Sequence, residues 1–342
     1  NQDLTYEKKH ELNFGIDAGF LNNRINFTFD IYTRRNYDLI GATNTMGIGG
    51  ESTKYGNVAK MKSNGVELSL NTVNIKTKDF TWSTDFIYSH MHNEVTELNT
   101  YNRLYDYISG YGFTMPGYPQ RSLFSIPFAG LNNEGLPTFY DPDGNITVTG
   151  IDMQEYDPER LKFLKYEGPA DPTDVGSLGN IFRYKNLTLN LFITYSFGNV
   201  VRLDPVFSSL YSDLTATPKE FNNRWIKPGD EKYTNIPVIA SKQQLNNISY
   251  LSKAYQSYNY STARVAKGDF IRMKEISLAY EFPKTITQAL NISNLSLKLQ
   301  ATNLFLLYAD KKLNGQDPEF FNAGGVATPM PKQFTLTLKF GI

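Results

Sequence analysis

Residues 11–31 read ELNFGIDAGFLNNRINFTFDI, and their side chains alternate between apolar and polar on both sides of Asn22 and Asn23. A period of two is that of a β-strand with one apolar and one polar face, because successive side chains point to opposite sides. Two adjacent asparagines tolerate the positive φ angles of a tight hairpin turn. This stretch therefore predicts two antiparallel strands joined by a two-residue turn.

The same alternation recurs along the chain, which contains 23 Tyr and 23 Phe residues. Aromatic side chains on polar-faced strands are typical of long β-sheets rather than of packed helices. The repeated apolar positions are Val66, Leu68 and Leu70; Phe80, Trp82, Phe86 and Tyr88; Leu187, Leu189, Leu191, Ile193, Tyr195 and Phe197; Ile276, Leu278, Tyr280 and Phe282; Leu295, Leu297, Leu299 and Ala301; and Phe334, Leu336, Leu338 and Phe340. We therefore predict an all-β protein.

Strand length and connection length indicate a membrane barrel. Several predicted strands reach 12 or more residues, which is enough to cross a bilayer obliquely, since that takes ~9–11 residues. Short connections are predicted near residues 22–23, 76–79, 131–135, 185–186 and 283–292, and they alternate with long ones near 41–60, 99–117, 142–173, 199–267 and 310–330. Such alternation predicts a transmembrane antiparallel β-barrel with long extracellular loops. A soluble, secreted β-sandwich is the competing interpretation.

About eleven strands are predicted, of which residues 136–141 form the weakest because Pro137 interrupts a short run. Bacterial barrels have even strand numbers, and an open sheet edge cannot face lipid. We therefore expect residues 1–342 to be a C-terminal part that closes against strands of the same protein. The absence of a leader before Asn1 leads to the same expectation.

Composition excludes several other function classes. Lys plus Arg and Asp plus Glu both total 34, so no net charge attracts nucleic acid. The chain has no Cys, which rules out disulfides and thiol chemistry, and it has no apolar run of 18 residues that would predict a membrane-spanning helix.

Candidate chemical motifs are weak. Asp141-Pro142-Asp143-Gly144-Asn145 begins like a calcium loop but lacks its final Glu, so a plain turn is favoured. His90 and His92 lie two residues apart without an evident third metal ligand, and His10 is remote in sequence. Gly47, Gly49 and Gly50 lack the Lys-Ser/Thr of a phosphate loop. We expect no enzyme activity, metal or cofactor.

Aromatic residues in the predicted outer loops are candidates for binding cargo. Tyr101, Tyr105, Tyr107 and Tyr111 lie within residues 99–117, and Trp225 lies in the longest loop. Such rings stack on sugars or peptides, but they also serve loop packing or an interfacial aromatic girdle. Loop packing or an interfacial girdle is the favoured interpretation of the four tyrosines, and Trp225 has the same two interpretations.

Several motifs resemble those of SusC/RagA-type TonB-dependent transporters of the Bacteroidetes outer membrane. The sequence NGVEL at 64–68 resembles the mid-barrel hairpin of that family. The sharpest similarity is C-terminal, where GDFIRMK at 268–274, ISLAY at 276–280, ATNLF at 301–305 and DPE at 317–319 follow in order. Together these blocks are specific to the family, whereas each is weak alone.

The resemblance implies a 22-stranded barrel of which this chain forms about eleven strands, with the plug domain and first barrel half lying outside it. It also implies import of glycan or peptide fragments, a SusD-like surface lipoprotein, and coupling to the TonB–ExbB–ExbD complex through the N-terminal part. A passive porin or an adhesive surface barrel without TonB coupling is the alternative function.

Overall fold

The computed structural model describes residues 4–45, 47, 50–99, 102–110, 112–206, 218–321 and 329–341. Its main feature is a nine-stranded sheet in which every strand pairs antiparallel with its neighbour in the chain. The strands are β1 (Lys8–Phe20), β2 (Ile25–Asn44), β3 (Thr53–Lys76), β4 (Phe80–Leu98), β5 (Asp174–Tyr184), β6 (Leu187–Phe197), β7 (Phe270–Glu281), β8 (Asn294–Ala309) and β9 (Gln333–Gly341).

One side of this sheet, here the apolar face, carries the alternating apolar side chains predicted from the sequence. Cross-strand pairing brings Phe14 opposite Ile31 and Ile31 opposite Val66, so their side chains share this face. Many of these side chains are exposed, including Phe14 at 60% and Phe334 at 75%. Exposed apolar surface of this extent requires an apolar environment, and hydrocarbon supplies one.

Aromatic side chains mark both ends of the apolar face. Trp82, Tyr184 and Tyr280 lie near one end, and Tyr88 and Tyr195 lie near the other. Residues 176–184 of β5 separate the two levels, roughly 26 Å along the strand. At the usual strand tilt this length corresponds to about 20 Å of height, and two aromatic girdles that flank an apolar band of ~25 Å are typical of outer-membrane barrels.

The opposite side, the polar face, carries amide, hydroxyl and charged side chains. Asn71 of β3 donates to Asp85 of β4 at 2.8 Å, and Thr28 of β2 donates to Asp17 of β1 at 2.6 Å. Polar side chains that bond one another across strands fit a water-filled interior.

Connections at the two ends of the sheet differ in length. At the turn end they comprise residues 21–24, 77–79, 185–186 and 282–293, and at the loop end residues 45–52, 99–173, 198–269 and 310–332. The first turn was predicted to have two residues, but it comprises residues 21–24. Leu21, Asn22 and Asn23 all have positive φ. The predicted connection at 41–60 is shorter, since β2 and β3 extend into it; Gly47 and Gly50 lie there, and Gly49 lies outside the described residues.

The predicted number of eleven strands requires correction, because the described sheet has nine. The other predicted strands fall between residues 118 and 141, where short strands Ser122–Ser125, Phe128–Leu131 and Pro137–Tyr140 pair within small loop sheets. All four residues of Ser122–Ser125 are buried, so this strand is enclosed on both faces rather than on one. Residues 131–135 are therefore a hairpin within a loop and not a turn of the barrel.

The two longest connections fold together over a shared hydrophobic core. They contain further short strands, 3-10 helices such as Lys219–Asn223, and helices α1 (Leu104–Ile108), α2 (Pro158–Leu161), α3 (Lys242–Asn247) and α4 (Leu251–Asn259). Ile108, Phe139 and Tyr255 belong to one buried cluster that draws on both connections. A fifth helix, α5 (Lys284–Ala289), lies at the turn end. None of the helices within the described ranges is long and apolar enough to cross a membrane.

A charge placed in the middle of the apolar face tests the assignment of the two faces. Leu191 lies on this face midway between Leu187 and Tyr195, so Leu191→Arg should destabilise the full-length barrel by ~2–4 kcal/mol, the cost of Arg near the bilayer midplane. Denaturant unfolding in lipid vesicles measures this loss, and Leu297→Arg should cost less, because Leu297 lies opposite Tyr280 near the turn end.

The matched control is Asn190→Arg, which places the same charge on the polar face within reach of Glu275. This variant should retain nearly the stability of the original protein. Equal stability of Leu191→Arg and Asn190→Arg would show that the apolar face does not contact lipid.

Candidate functional site

The candidate site lies where the loop end of the polar face meets the connecting segments. Arg272 of β7 pairs with Thr194 and Leu306 of neighbouring strands, which places its side chain on the polar face. Only 5% of Arg272 is exposed. A buried guanidinium requires anionic or carbonyl partners, because its desolvation is otherwise costly.

Two carboxylates supply these partners. Asp317 forms an ion pair with Arg272, and Glu319 lies 3.2 Å from its Nε. The Asp317 carboxylate also accepts the backbone N–H of Glu319 at 3.1 Å, which caps the 3-10 helix Pro318–Phe320. The ion pair therefore fixes the last long connection against β7.

A cavity of about 680 Å³ lies beside this ion pair. Its lining combines apolar side chains with a few polar groups: Leu304, Leu306, Phe320, Met330, Arg272 and Asn303. Asn303 has a positive φ of 54°, and its buried Oδ1 has no hydrogen-bond partner among the described residues. Apolar walls with a few convergent polar groups are typical of sites for small organic molecules.

Two more arginines hold the long connections together. Arg264 is 2% exposed, and it pairs with Glu220 at 2.6 Å. Arg202 donates to Ser125 Oγ at 2.9 Å and to the backbone carbonyl of Phe124, which joins the connection 198–269 to the connection 99–173. Burial lowers the pKa of Arg202 to about 10, so it remains a cation at neutral pH.

The predicted aromatic candidates lie in the loop core as far as the structure describes them. Tyr105 and Tyr107 share helix α1, where Tyr105 contacts Tyr260 edge-on at 5.9 Å and Tyr107 contacts Phe113 at 4.8 Å. Burial raises the pKa of Tyr107. Tyr101 and Tyr111 lie outside the described residues. The structure thus brings Tyr105 and Tyr107 into protein packing, and binding of cargo by them stays a prediction.

Only 7% of the Trp225 surface is exposed. Its Nε1 donates to Glu231 at 3.0 Å, and its ring covers Gly135, where an added Cβ would come within 2.4 Å of Cδ2. This contact joins the two long connections. The ring is unavailable for stacking on cargo in this conformation, which favours the packing interpretation.

The histidine and aspartate motifs have structural partners. His90 lies 2.8 Å from Asp174, and the described residues contain no group of three ligands suited to a metal ion. The Asp141 carboxylate accepts the backbone N–H groups of Asp143 and Asn145, which is the arrangement of a plain turn.

Sequence reasoning missed the buried arginines as site residues, although a signal was present. Arg272, Asn303, Asp317 and Glu319 all belong to the C-terminal blocks that carry the family resemblance. Arg272 and Asp317 are 45 positions apart in sequence, and the structure brings both together with Asn303 around one cavity. Prediction of such a cluster from the sequence requires knowledge of strand pairing.

Comparisons with known proteins agree with this architecture. The chain is 28% identical over 355 residues to the TonB-dependent receptor SusC of Bacteroides thetaiotaomicron, covering 99% of the chain and 32% of the relative. It is 25% identical over 342 residues to the TonB-dependent receptor P3 of Formosa agariphila, covering 93% and 31%. No family model matches. The chain thus spans about a third of the length of these curated relatives.

A solved structure of the RagAB peptide transporter superimposes with a TM-score of 0.74 at 24% identity, covering 100% of this chain and 36% of that chain. This likeness shows that the sheet has the fold of part of such a barrel. With the named relatives, it confirms the resemblance to SusC/RagA-type TonB-dependent transporters that the motifs predicted.

The buried pair Arg264–Glu220 offers a test of how the connections are held. Arg264→Ala in the full-length protein should loosen residues 218–264, because removal of one partner from a buried ion pair costs about 3–5 kcal/mol. Limited proteolysis of intact cells should then cleave this segment faster, while the barrel itself keeps its resistance to unfolding in detergent.

Arg160→Ala is the matched control, since Arg160 pairs with Glu155 at 2.8 Å in an exposed position. Exposed pairs contribute only about 0–1 kcal/mol, so cleavage should stay at its original rate. Identical cleavage of both variants would contradict a holding role for Arg264.

Proposed function

We propose that this chain, which resembles SusC/RagA-type TonB-dependent transporters along its whole length, forms the C-terminal portion of an outer-membrane importer of glycan or peptide fragments. One observation carries the proposal: nine consecutive antiparallel strands present an apolar face with two aromatic girdles on one side and a polar face on the other. The polar face then lines the passage through the barrel, and the apolar face contacts lipid.

The orientation in the membrane follows from the connections. Tight turns of outer-membrane barrels lie in the periplasm and long loops lie outside the cell. The loop end, with its hydrophobic core and buried arginines, is therefore assigned to the extracellular side. The cavity beside Arg272 then lies near the outer mouth of the barrel, where incoming cargo passes.

The described sheet leaves β1 and β9 as its two edges. An unpaired backbone group in hydrocarbon costs several kcal/mol, so both edges require further strands. We assign those strands, together with a plug domain and a segment that binds TonB, to parts of the protein outside residues 1–342. Energy for import then comes from the TonB–ExbB–ExbD complex of the inner membrane.

The relatives are receptors and transporters, and they support transport rather than catalysis. Cargo of the RagAB relative is a peptide by its description, whereas the polar face of this chain offers mixed amide, hydroxyl and carboxylate groups. Such groups hydrogen-bond equally to sugar hydroxyls and to peptide amides. Glycan and peptide fragments therefore both fit the proposal.

A SusD-like surface lipoprotein is the proposed partner at the outer mouth. Several large side chains of the extracellular connections are exposed, and the four with the largest exposed fractions, up to 89% for Tyr233, are Tyr156, Ile226, Tyr233 and Tyr250. Exposed aromatic and aliphatic side chains are frequent contributors to protein interfaces. They are the residues that we expect a lipoprotein to cover.

Loss of energy coupling tests import. Deletion of the TonB-binding segment from the full-length protein should abolish uptake of its cargo while the barrel still assembles, because that segment transmits the force that moves the plug. Uptake by cells that express the deletion variant is compared with uptake by cells treated with an uncoupler. Persistent uptake in both would favour the passive porin.

Photo-crosslinking tests the partner and the topology together. A photoreactive residue in place of Tyr233 should capture a surface lipoprotein, whereas one in place of Lys185 in the turn 185–186 should capture only periplasmic proteins. Mass spectrometry identifies the captured chains. Capture of periplasmic proteins at Tyr233 would reverse the assigned orientation.

A further inference from the structure

A groove of about 520 Å³ runs along the apolar face between β1 and β4. Its floor comes from β2 and β3, where the side chains are shorter, and its two sides come from the larger residues of β1 and β4. The floor residues are Ile31, Thr33, Asn64 and Val66, and the side residues are Leu12, Phe14, His90 and His92. These eight of the ten lining residues lie on the apolar face, so the groove opens toward lipid, and Tyr32 and Gly65 complete its lining.

Basic residues lie immediately beyond the groove, one step toward the loop end. His10 pairs with Arg35 across β1 and β2, and Arg35 pairs with Lys62 across β2 and β3. The next row toward the turn end contains Leu12, Thr33 and Asn64, and the row below it is the apolar row of Phe14, Ile31 and Val66. The apolar face thus changes from hydrocarbon-like to cationic directly above the groove.

The pairing of Arg35 with Lys62 is unusual because like charges opposite each other destabilise a sheet. Glu94 lies 2.9 Å from Lys62 and neutralises that residue. Lys8 is likewise paired, with Asp38 at 2.8 Å. Arg35 is exposed and makes no hydrogen bond or ion pair with any described residue, so one guanidinium remains available to an external anion.

The height of these cations matches that of lipid headgroups. Leu12 to Phe20 of β1 spans eight residue steps, roughly 26 Å along the strand, which is about 20 Å of height at the usual strand tilt and lies within the ~25 Å apolar band of outer-membrane barrels. His10 and Arg35 lie just above this band. Basic residues at this level attract anionic headgroups, at about a five-fold gain in binding for each cation.

We propose that this surface binds a phosphorylated, acylated glycolipid of the outer leaflet, with an acyl chain in the groove and a headgroup phosphate on Arg35. The inference rests on the proposed membrane orientation. Two contacts hold the sides of the groove in position: His90 lies 2.8 Å from Asp174, and Phe14 lies opposite Ile31.

A second copy of the chain fits this surface less well. A symmetric dimer would bring the same patch of both copies together. The unpaired Arg35 of one copy would then approach that of the other, at a cost in repulsion. The cationic edge selects an anionic occupant, and the apolar groove beneath it selects one with a hydrocarbon chain.

Native mass spectrometry of the full-length protein in detergent tests this site, with purified lipid A as the probe. The original protein should retain lipid A, and Arg35→Gln should weaken retention by about five-fold, the contribution of one cation. Arg35→Lys should restore most of it. Val66→Phe, which fills the floor of the groove, should weaken retention without any change in charge.

Arg183→Gln is the matched control, because Arg183 is an exposed arginine of β5 on the polar face near the turn end. It should retain lipid A as the original protein does, and lipid A stripped of phosphate should bind the original protein as weakly as lipid A binds Arg35→Gln. Equal retention by all variants, or of both lipids, overturns the site.

The same strains are fractionated so that two failures can be told apart. Absence of the protein from the outer membrane would overturn the proposed function together with the lipid site. An outer-membrane location with cargo uptake intact, but with lipid A retention unaffected by Arg35→Gln and Val66→Phe, would overturn the lipid site alone.

Discussion

The rest of the structure depends on one constraint, the pairing of every backbone N–H and C=O group along strands whose apolar face meets hydrocarbon. Water is absent there, so each unpaired group costs several kcal/mol. Nine strands that follow one another in an unbroken antiparallel order meet this requirement within the sheet. The connections that lack sheet pairing are confined to the two ends, where solvent is available.

Side chains on the apolar face obey the same constraint. Asn180 lies among apolar neighbours, and its Oδ1 accepts hydrogen bonds from Trp82 Nε1 and Thr84 Oγ1, both at 2.9 Å. Gly65 illustrates the opposite face, where the Tyr32 hydroxyl lies 2.5 Å from the place that a Cβ would occupy. The two faces thus constrain residues differently. A polar side chain on the apolar face, such as Asn180, requires hydrogen-bond partners, whereas Gly65 on the polar face has no room for a side chain.

At the loop end, buried arginines hold distant segments together, as backbone pairing does in the sheet. Arg202, Arg264 and Arg272 each join segments that are far apart in the chain, and a terminal nitrogen of each guanidinium contacts a carbonyl or carboxylate oxygen. A buried cation specifies its partners closely, since a shift that breaks the pair leaves an uncompensated charge. The extracellular connections are therefore held in one arrangement although they contain few long helices or strands.

The sequence by itself determined the strands of the sheet and the assignment of their two faces, because a period of two depends only on which side chains follow one another. It also carried the family resemblance, which the relatives confirm. It failed between residues 118 and 141, where strands buried on both faces lose the alternation that identifies a strand of the barrel. The tertiary structure alone decided that Arg272, Asn303 and Asp317 meet at one cavity, that Trp225 and Tyr107 pack inside the loop core, and that Arg35 lies opposite Lys62. Such neighbours are set by register and loop closure over many residues, and local sequence patterns contain neither.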